Sequence, residues 1–323
     1  MSPQTLDPIR TRDFASPMLA TLLIVAASLG CAASSHPTIL GDLGTPASSD
    51  AMFALIDQPG PIRFEKRLAA NWQVPRSGLI NLDHPAALRA ELTDGDEPIE
   101  LYFYVLRHPE FGMYIVDTGV ESGFREPDSS PQLSWLVKAA MNMEALDVRE
   151  TTAEWLAKQS SPLAGVFLTH LHLDHIMGLP DVPKGTPVYA GPGEPVASQF
   201  MNAFSQGTTD RFLAGLGPLR EWPFVPDSAD RFTGVLDVFG DGSLWALHVP
   251  GHSPGSTAFL VRTPEGSRLL LGDATHTRWG WRNGVEPGTF SKDQPQSAVS
   301  LKTLLDLAKQ FPQVEVHPGH QSL

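Results

Sequence analysis

His170-Leu171-His172-Leu173-Asp174-His175 is the stretch on which the reading of this chain turns. It follows Val166-Phe167-Leu168-Thr169, a short apolar run that reads as a buried strand. Histidines and an aspartate one or two residues apart, in a loop at a strand end, can aim their side chains at two metal ions. Two-metal hydrolases hold such ions about 3.5 Å apart. With eleven histidines in 323 residues, this spacing arises by accident on the order of once in a thousand chains.

Three more stretches follow in order. Val249-Pro250-Gly251-His252-Ser253-Pro254-Gly255 sets a histidine in a tight turn after a strand. Leu269-Leu270-Leu271-Gly272-Asp273 ends an apolar strand in an aspartate, and Val316-His317-Pro318-Gly319-His320 ends the last strand in histidine. This ordered set resembles the metallo-β-lactamase superfamily, from roughly residue 98 to the C-terminus. Strands interleaved with helices already suggest a layered α/β sandwich. The resemblance implies its form, an αβ/βα sandwich of two mixed β-sheets flanked by helices.

The resemblance also implies roles. His170, His172 and His252 would hold one divalent metal ion. Asp174, His175 and His320 would hold a second, and Asp273 would bridge the two together with a water or hydroxide. Asp117, in Val116-Asp117-Thr118-Gly119, would orient a ligand from behind. Zinc is the first expectation for both ions, with iron, manganese and cobalt as alternatives. The chemistry is consistent with this. Three neutral imidazoles leave a tetrahedral zinc one open position, and divalent metal brings the pKa of bound water near neutrality. His317 competes with His320 for the last place, and the Gly-His ending favours His320. His36, His84, His108 and His248 lie outside the motifs and read as structural or surface residues.

The branch is narrowed by Cys31, the single cysteine, which leaves no thiolate for a metal and no disulfide framework. Gly272-Asp273-Ala274-Thr275-His276, the helix containing Ser300-Leu301, and His317-Pro318-Gly319-His320-Gln321 look most like N-acyl-homoserine lactonases. That likeness implies a small lactone or ester substrate opened by the hydroxide. Asp273 and Asp174 would be catalytic, Asp174 passing a proton to the leaving group. Such lactonases often place a tyrosine three residues after the bridging aspartate to donate to the substrate carbonyl; here His276 stands there and inherits the role. Thioesterases of the glyoxalase II type and phosphotriesterases or phosphodiesterases are the alternatives among hydrolases. A mononuclear iron sulfur dioxygenase and a non-catalytic lipoprotein are the alternatives outside them. The full ligand set speaks against both. Trp279, Trp281, Met201, Phe204 and Phe212 either line an apolar pocket or pack the core.

Composition agrees with a soluble globular domain, 41% hydrophobic and 18% charged, with 28 Gly and 29 Pro for many turns. A net charge of −13 argues against a nucleic-acid partner; the oligomeric state is left open. Residues 18–29 form an apolar run preceded by Arg10 and Arg12, the layout of a secretory signal peptide. Ser28-Leu29-Gly30-Cys31 resembles a lipoprotein cleavage box, although Ser28 replaces the usual leucine. The expected organisation is therefore a signal over 1–31, a flexible tether over 32–50, rich in Ser, Pro, Gly and Thr, and a hydrolase domain over 51–323. The protein is expected to be exported, periplasmic or anchored to a membrane through a lipidated Cys31. Within the domain, strands are expected at 98–106, 113–116, 166–169, 187–189, 244–249, 256–262, 268–271 and 313–316. Helices are expected at 131–143, 151–159, 195–204 and 293–310.

Overall fold

Leu101, Phe103 and Val105 alternate with Tyr102, Tyr104 and Leu106 along the strand Asp96–His108. Every residue from Leu101 to Leu106 is buried except Tyr102, which is partly so. A strand with two apolar faces must lie in the middle of a sheet covered on both sides. The computed structural model, which describes residues 31–125, 133, 135–199 and 202–323, shows that arrangement. One sheet runs from edge to edge through Thr38–Leu40, Leu219–Glu221, Val188–Ala190, Leu163–Phe167, Gly112–Val116, Asp96–His108, Arg63–Pro75 and Asp147–Val148. The other runs through Glu315–His317, Gly266–Leu270, Thr257–Thr263, Leu244–His248, Gly234–Asp237 and Thr45–Ala47. Each contains parallel and antiparallel pairs. The expected sandwich of two mixed sheets is the one observed.

Alternation along the strands divides the core into three apolar layers. Tyr104, Phe167, Tyr189, Trp222, Phe259 and Leu270 meet between the sheets. Their neighbours in sequence, such as Phe103, Val166 and Leu269, point outward beneath the flanking helices. Phe167 is fully buried and touches the rings of Tyr114, Tyr189, Trp222 and Phe259. Truncating it to Ala costs about 3–5 kcal/mol.

The segment 32–50 is not a tether. Thr38–Leu40 lies parallel to Leu219–Glu221 at the edge of one sheet, and Thr45–Ala47 pairs with Gly234–Asp237 at the edge of the other. The polar residues that suggested flexibility are hydrogen-bonded into the fold. Ser35 Oγ donates to Asp210 at 2.7 Å and Ser49 Oγ to Asp227 at 2.7 Å. Cys31–Ala32 pairs with Ser198–Gln199. The fold thus includes residues from Cys31 onward, and the signal expected over residues 1–31 lies, apart from Cys31, outside the described residues. No helix among the described residues is long and apolar enough to cross a membrane.

Other differences have local causes. Arg63–Pro75, the longest strand beside Asp96–His108, was not expected because a bulge between Leu68 and Ala70 shifts its alternation mid-strand. The helix expected at 195–204 begins later, spanning Asn202–Leu213. Of the helix expected at 131–143, the described residues show Trp135–Ala140, and 131, 132 and 134 lie outside them. The last helix fits well: Asp293 caps it by accepting from Gln296 N at 3.0 Å, Pro295 sits in its first turn, and Leu301, Leu304 and Leu307 face inward.

Candidate metal centre

Every expected ligand leaves the C-terminal end of a strand, where a loop frees side chains that the sheet would otherwise commit to a face. His170, His172, Asp174 and His175 follow Leu163–Phe167, and His252 follows Leu244–His248. Asp273 follows Gly266–Leu270, and His320 follows Glu315–His317. The structure brings them together as two overlapping groups, His170/His172/His252/Asp273 and Asp174/His175/Asp273/His320. In each group the ligand atoms lie within 4.8 Å of one another, and Asp273 belongs to both.

In the first group His252 Nε2 lies 3.2 Å from His170 Nε2 and 2.9 Å from His172 Nδ1, with Asp273 Oδ2 3.4 Å away. Burial holds all three imidazoles below their ordinary pKa, His170 and His252 far below. Neutral rings that turn lone pairs into one small space repel unless a cation fills it. In the second group His320 Nε2 lies 3.3 Å from Asp174 Oδ2 and 3.2 Å from Asp273 Oδ1, and His175 Nε2 lies 3.3 Å from Asp273 Oδ2. Burial opposes a charge on His175 and His320, but the carboxylates around them outweigh it and raise both. Burial likewise opposes the Asp273 carboxylate, and the surrounding imidazoles hold its pKa well below the usual range. His175 Nε2 and Asp273 Oδ1 are buried without a hydrogen bond, the condition expected of atoms whose partner is a metal ion. The donor set fits two divalent ions.

A second layer fixes the rings. Asp117 accepts from His175 Nδ1 at 2.8 Å and from Thr169 N at 2.8 Å, the role expected of it. Its backbone is left-handed, φ 57°, a conformation that aspartate tolerates better than most residues. His320 Nδ1 donates to the Glu100 carbonyl at 3.2 Å, so Nε2 is the atom that would offer its lone pair to a bound ion. Gly319 is required because a Cβ there would strike Asp273 Oδ1. Sequence reasoning missed Glu194, whose carboxylate accepts from Leu171 N at 2.8 Å, Gly255 N at 2.7 Å and the Ser253 hydroxyl. The only signal was a glutamate in a Gly-Pro turn, Gly191-Pro192-Gly193-Glu194-Pro195, after a buried strand.

The competing histidines are elsewhere. His317 packs against Phe64 and Tyr104 between the sheets. His248 stacks on Phe224, His108 pairs with Asp241, His84 caps a short helix, and His36 meets Gly217 O. His276 is buried at the centre's rim, Nε2 3.1 Å from Asp273 Oδ2 and Nδ1 donating to Leu79 O at 3.2 Å. A cavity of about 300 Å3 opens over the ligands, walled by Trp72, Val74, Leu79, Ile99, Met141 and Phe290. Of the two readings left open for the aromatics, core packing holds for Trp281 and Phe212, which lie in the outer core layers. Trp279 faces a neighbouring groove. The side chains of Met201 and Phe204 lie outside the described residues.

Comparison with known proteins agrees with this geometry. The family model described as the metallo-beta-lactamase superfamily matches residues 102–320. An N-acyl homoserine lactonase AttM of Agrobacterium fabrum (strain C58) is 28% identical over 222 residues, covering 64% of this chain and 78% of its own length. A metallo-hydrolase mfmC of Annulohypoxylon moriforme is 25% identical, covering 64% of this chain and 52% of its own length. Among solved structures, a quorum-quenching N-acyl homoserine lactone lactonase superposes with a TM-score of 0.56 at 20% identity, over 82% of this chain and 93% of its own.

Proposed function

This chain belongs to the metallo-β-lactamase superfamily of hydrolases, and from that premise we propose that it opens lactones or other uncharged carboxylic esters with two divalent metal ions. The observation that carries the substrate class is the cavity. Its wall is apolar, its floor is the ligand set, and among the described residues neither lysine nor arginine lines it. Anionic groups away from the metal ions, such as the carboxylates of S-lactoylglutathione, would call for a cationic side chain on that wall. An acyl chain or a lactone ring would not. The lactonase relatives of similar sequence support the same reading. A phosphotriester, also uncharged, is the second reading that this cavity favours.

His170, His172 and His252 would hold one ion, Asp174, His175 and His320 the other, with Asp273 between them. Zinc is proposed from the imidazole-rich first group. Bound there, the ions would supply hydroxide near neutral pH and polarise the ester carbonyl. The chain's own residues do the rest. Asp117 and the Glu100 carbonyl orient His175 and His320. Asp174, partly exposed to the cavity, would accept the proton released by the attacking nucleophile and return it to the departing alkoxide. His276 spends its Nδ1–H on Leu79 O, so it donates to a substrate oxygen from Nε2 only as the doubly protonated ring.

Export is part of the proposal. A lipid on Cys31 would leave almost no spacer, because Ser34 already bonds to Asp210. Mass spectrometry of the native N-terminus checks this, and an intact Met1 speaks against export. The activity is tested with acyl-homoserine lactones, aryl esters, phosphotriesters and S-lactoylglutathione. Lactones or esters should lead by at least about tenfold, roughly 1.4 kcal/mol. A preference for S-lactoylglutathione overturns the substrate class.

A further inference from the structure

Glu194 is 2% exposed and has no salt-bridge partner among the described residues. A buried carboxylate without a cation must be held by hydrogen-bond donors, and here the donors come from the two loops that carry the first group of ligands. Oε2 accepts from Leu171 N, between His170 and His172. Oε1 accepts from Gly255 N and from the hydroxyl of Ser253, which follows His252 directly. Two segments some eighty residues apart are thus tied through one side chain.

The post itself is anchored from outside the centre. Gly193 N donates to Glu221 Oε1 at 3.1 Å, and Pro195 O accepts from Ser34 N at 3.0 Å. The loops are also pressed together at the backbone. A Cβ on Gly191 would land on the Gly255 carbonyl, and one on Gly255 would strike Gly191 and the Glu194 side chain. None of these contacts reaches His175 or His320. Their supports are Asp117 and Glu100 O.

We propose that Glu194 is a positioning residue for the first metal site alone, setting the distance between the His170/His172 loop and His252. This rests on the two-metal reading above. Glu194→Gln offers one acceptor oxygen; if that serves Gly255 and Ser253, the amide N–H groups meet Leu171 N–H, donor against donor. Loss of an outer partner of metal ligands typically weakens metal affinity about ten- to a hundredfold.

The test is Co2+ titration of the metal-free full chain, followed by visible absorption and by competition with a chelator. The unmodified chain should bind two equivalents. In Glu194→Gln one should weaken about ten- to a hundredfold, and it should be the one whose absorption His252→Ala abolishes. The other should stay within about twofold of its original affinity. Ser253→Ala, a milder cut at the same carboxylate, should weaken the same equivalent by a smaller factor and keeps the question decidable should Glu194→Gln fold poorly. Parallel weakening of both equivalents in both variants, or no change in either, overturns the assignment. A single equivalent in the unmodified chain instead overturns the two-metal reading beneath it.

Discussion

The two ligand groups share Asp273 and are otherwise built on opposite principles. The first is three buried imidazoles kept neutral by burial, their loops tied from outside by Glu194. The second sets Asp174 beside His175 and His320, rings that carboxylates push toward the charged form, with Asp117 as the outer support. An imidazole cluster without an ion is starved of positive charge at its lone pairs. A histidine–carboxylate cluster without an ion balances itself with protons. The first group is therefore organised chiefly by packing and hydrogen bonds, and the second chiefly by electrostatics. Single substitutions should separate them.

Asp273→Asn should do the most damage because it strikes both groups. An amide cannot act as an anionic bridge, so both equivalents of metal should bind more weakly and esterase activity should fall roughly a thousandfold or more. Elemental analysis and turnover measured side by side check this. Two tightly held equivalents in the variant would break the picture of a shared carboxylate.

Asp117→Asn should instead fall mainly on the second group, since it reaches the first only through Thr169, whose hydroxyl lies 3.1 Å from His170 Nδ1. Asp117 Oδ2 takes the proton of His175 Nδ1, and weakening that support should cost about ten- to a hundredfold in affinity for one equivalent. Together with Glu194→Gln this makes a crossed pair: each variant should weaken most the equivalent that the other weakens least. Loss of the same equivalent in both would erase the distinction between the groups.

His276→Ala should touch neither. The ring sits beside Asp273 but is not in either ligand group. Ester opening should slow by about ten- to a hundredfold, less than a lone oxyanion donor costs elsewhere because metals share the task. Metal content should stay at two equivalents. A variant that loses metal makes His276 a ligand; one with full activity makes it a bystander.

These differences bear on what could be read from the chain. Ligands were legible because each stands at a strand end, where apolar alternation stops and chemistry begins: His170 after Phe167, Asp273 after Leu271. Asp117 was legible for the same reason. Glu194 was not, since a lone glutamate in a turn gains meaning only from the two loops folded onto it. The edge strands Thr38–Leu40 and Thr45–Ala47 were misread as tether because edge residues carry little apolar pattern; the first is exposed throughout. Pairing with Leu219–Glu221 and Gly234–Asp237, about 180 residues away, supplies the order that composition hides. Arg63–Pro75 was hidden by its bulge. The apolar wall was not legible because Trp72 and Ile99 lie far in sequence from the ligand groups they face.

The finest test concerns His317, which lies three positions before His320 and ends the strand from which His320's loop departs. Of the two, only His320 belongs to a ligand group. His317 is 7% exposed, and burial, with Lys66 and Arg268 nearby, pushes its pKa from 6.5 down to about 3. The folded chain therefore keeps it neutral where the unfolded chain protonates it. The sign follows: its contribution to stability is intact above pH 6.5 and is lost progressively as pH falls toward 3. At pH 5 the loss should reach about 2 kcal/mol. Urea unfolding in the presence of chelator, at pH 7 and pH 5, compares the chain with His317→Leu. Because the metal-binding histidines titrate alike in both proteins, the difference in pH slope belongs to His317. The variant should lose about 2 kcal/mol less over that interval, whatever constant offset its altered packing brings, and should still bind two equivalents of metal. Equal slopes would mean that the ring is charged or solvated in the fold. A lost equivalent would move the last ligand from His320 to His317 and redraw the second group.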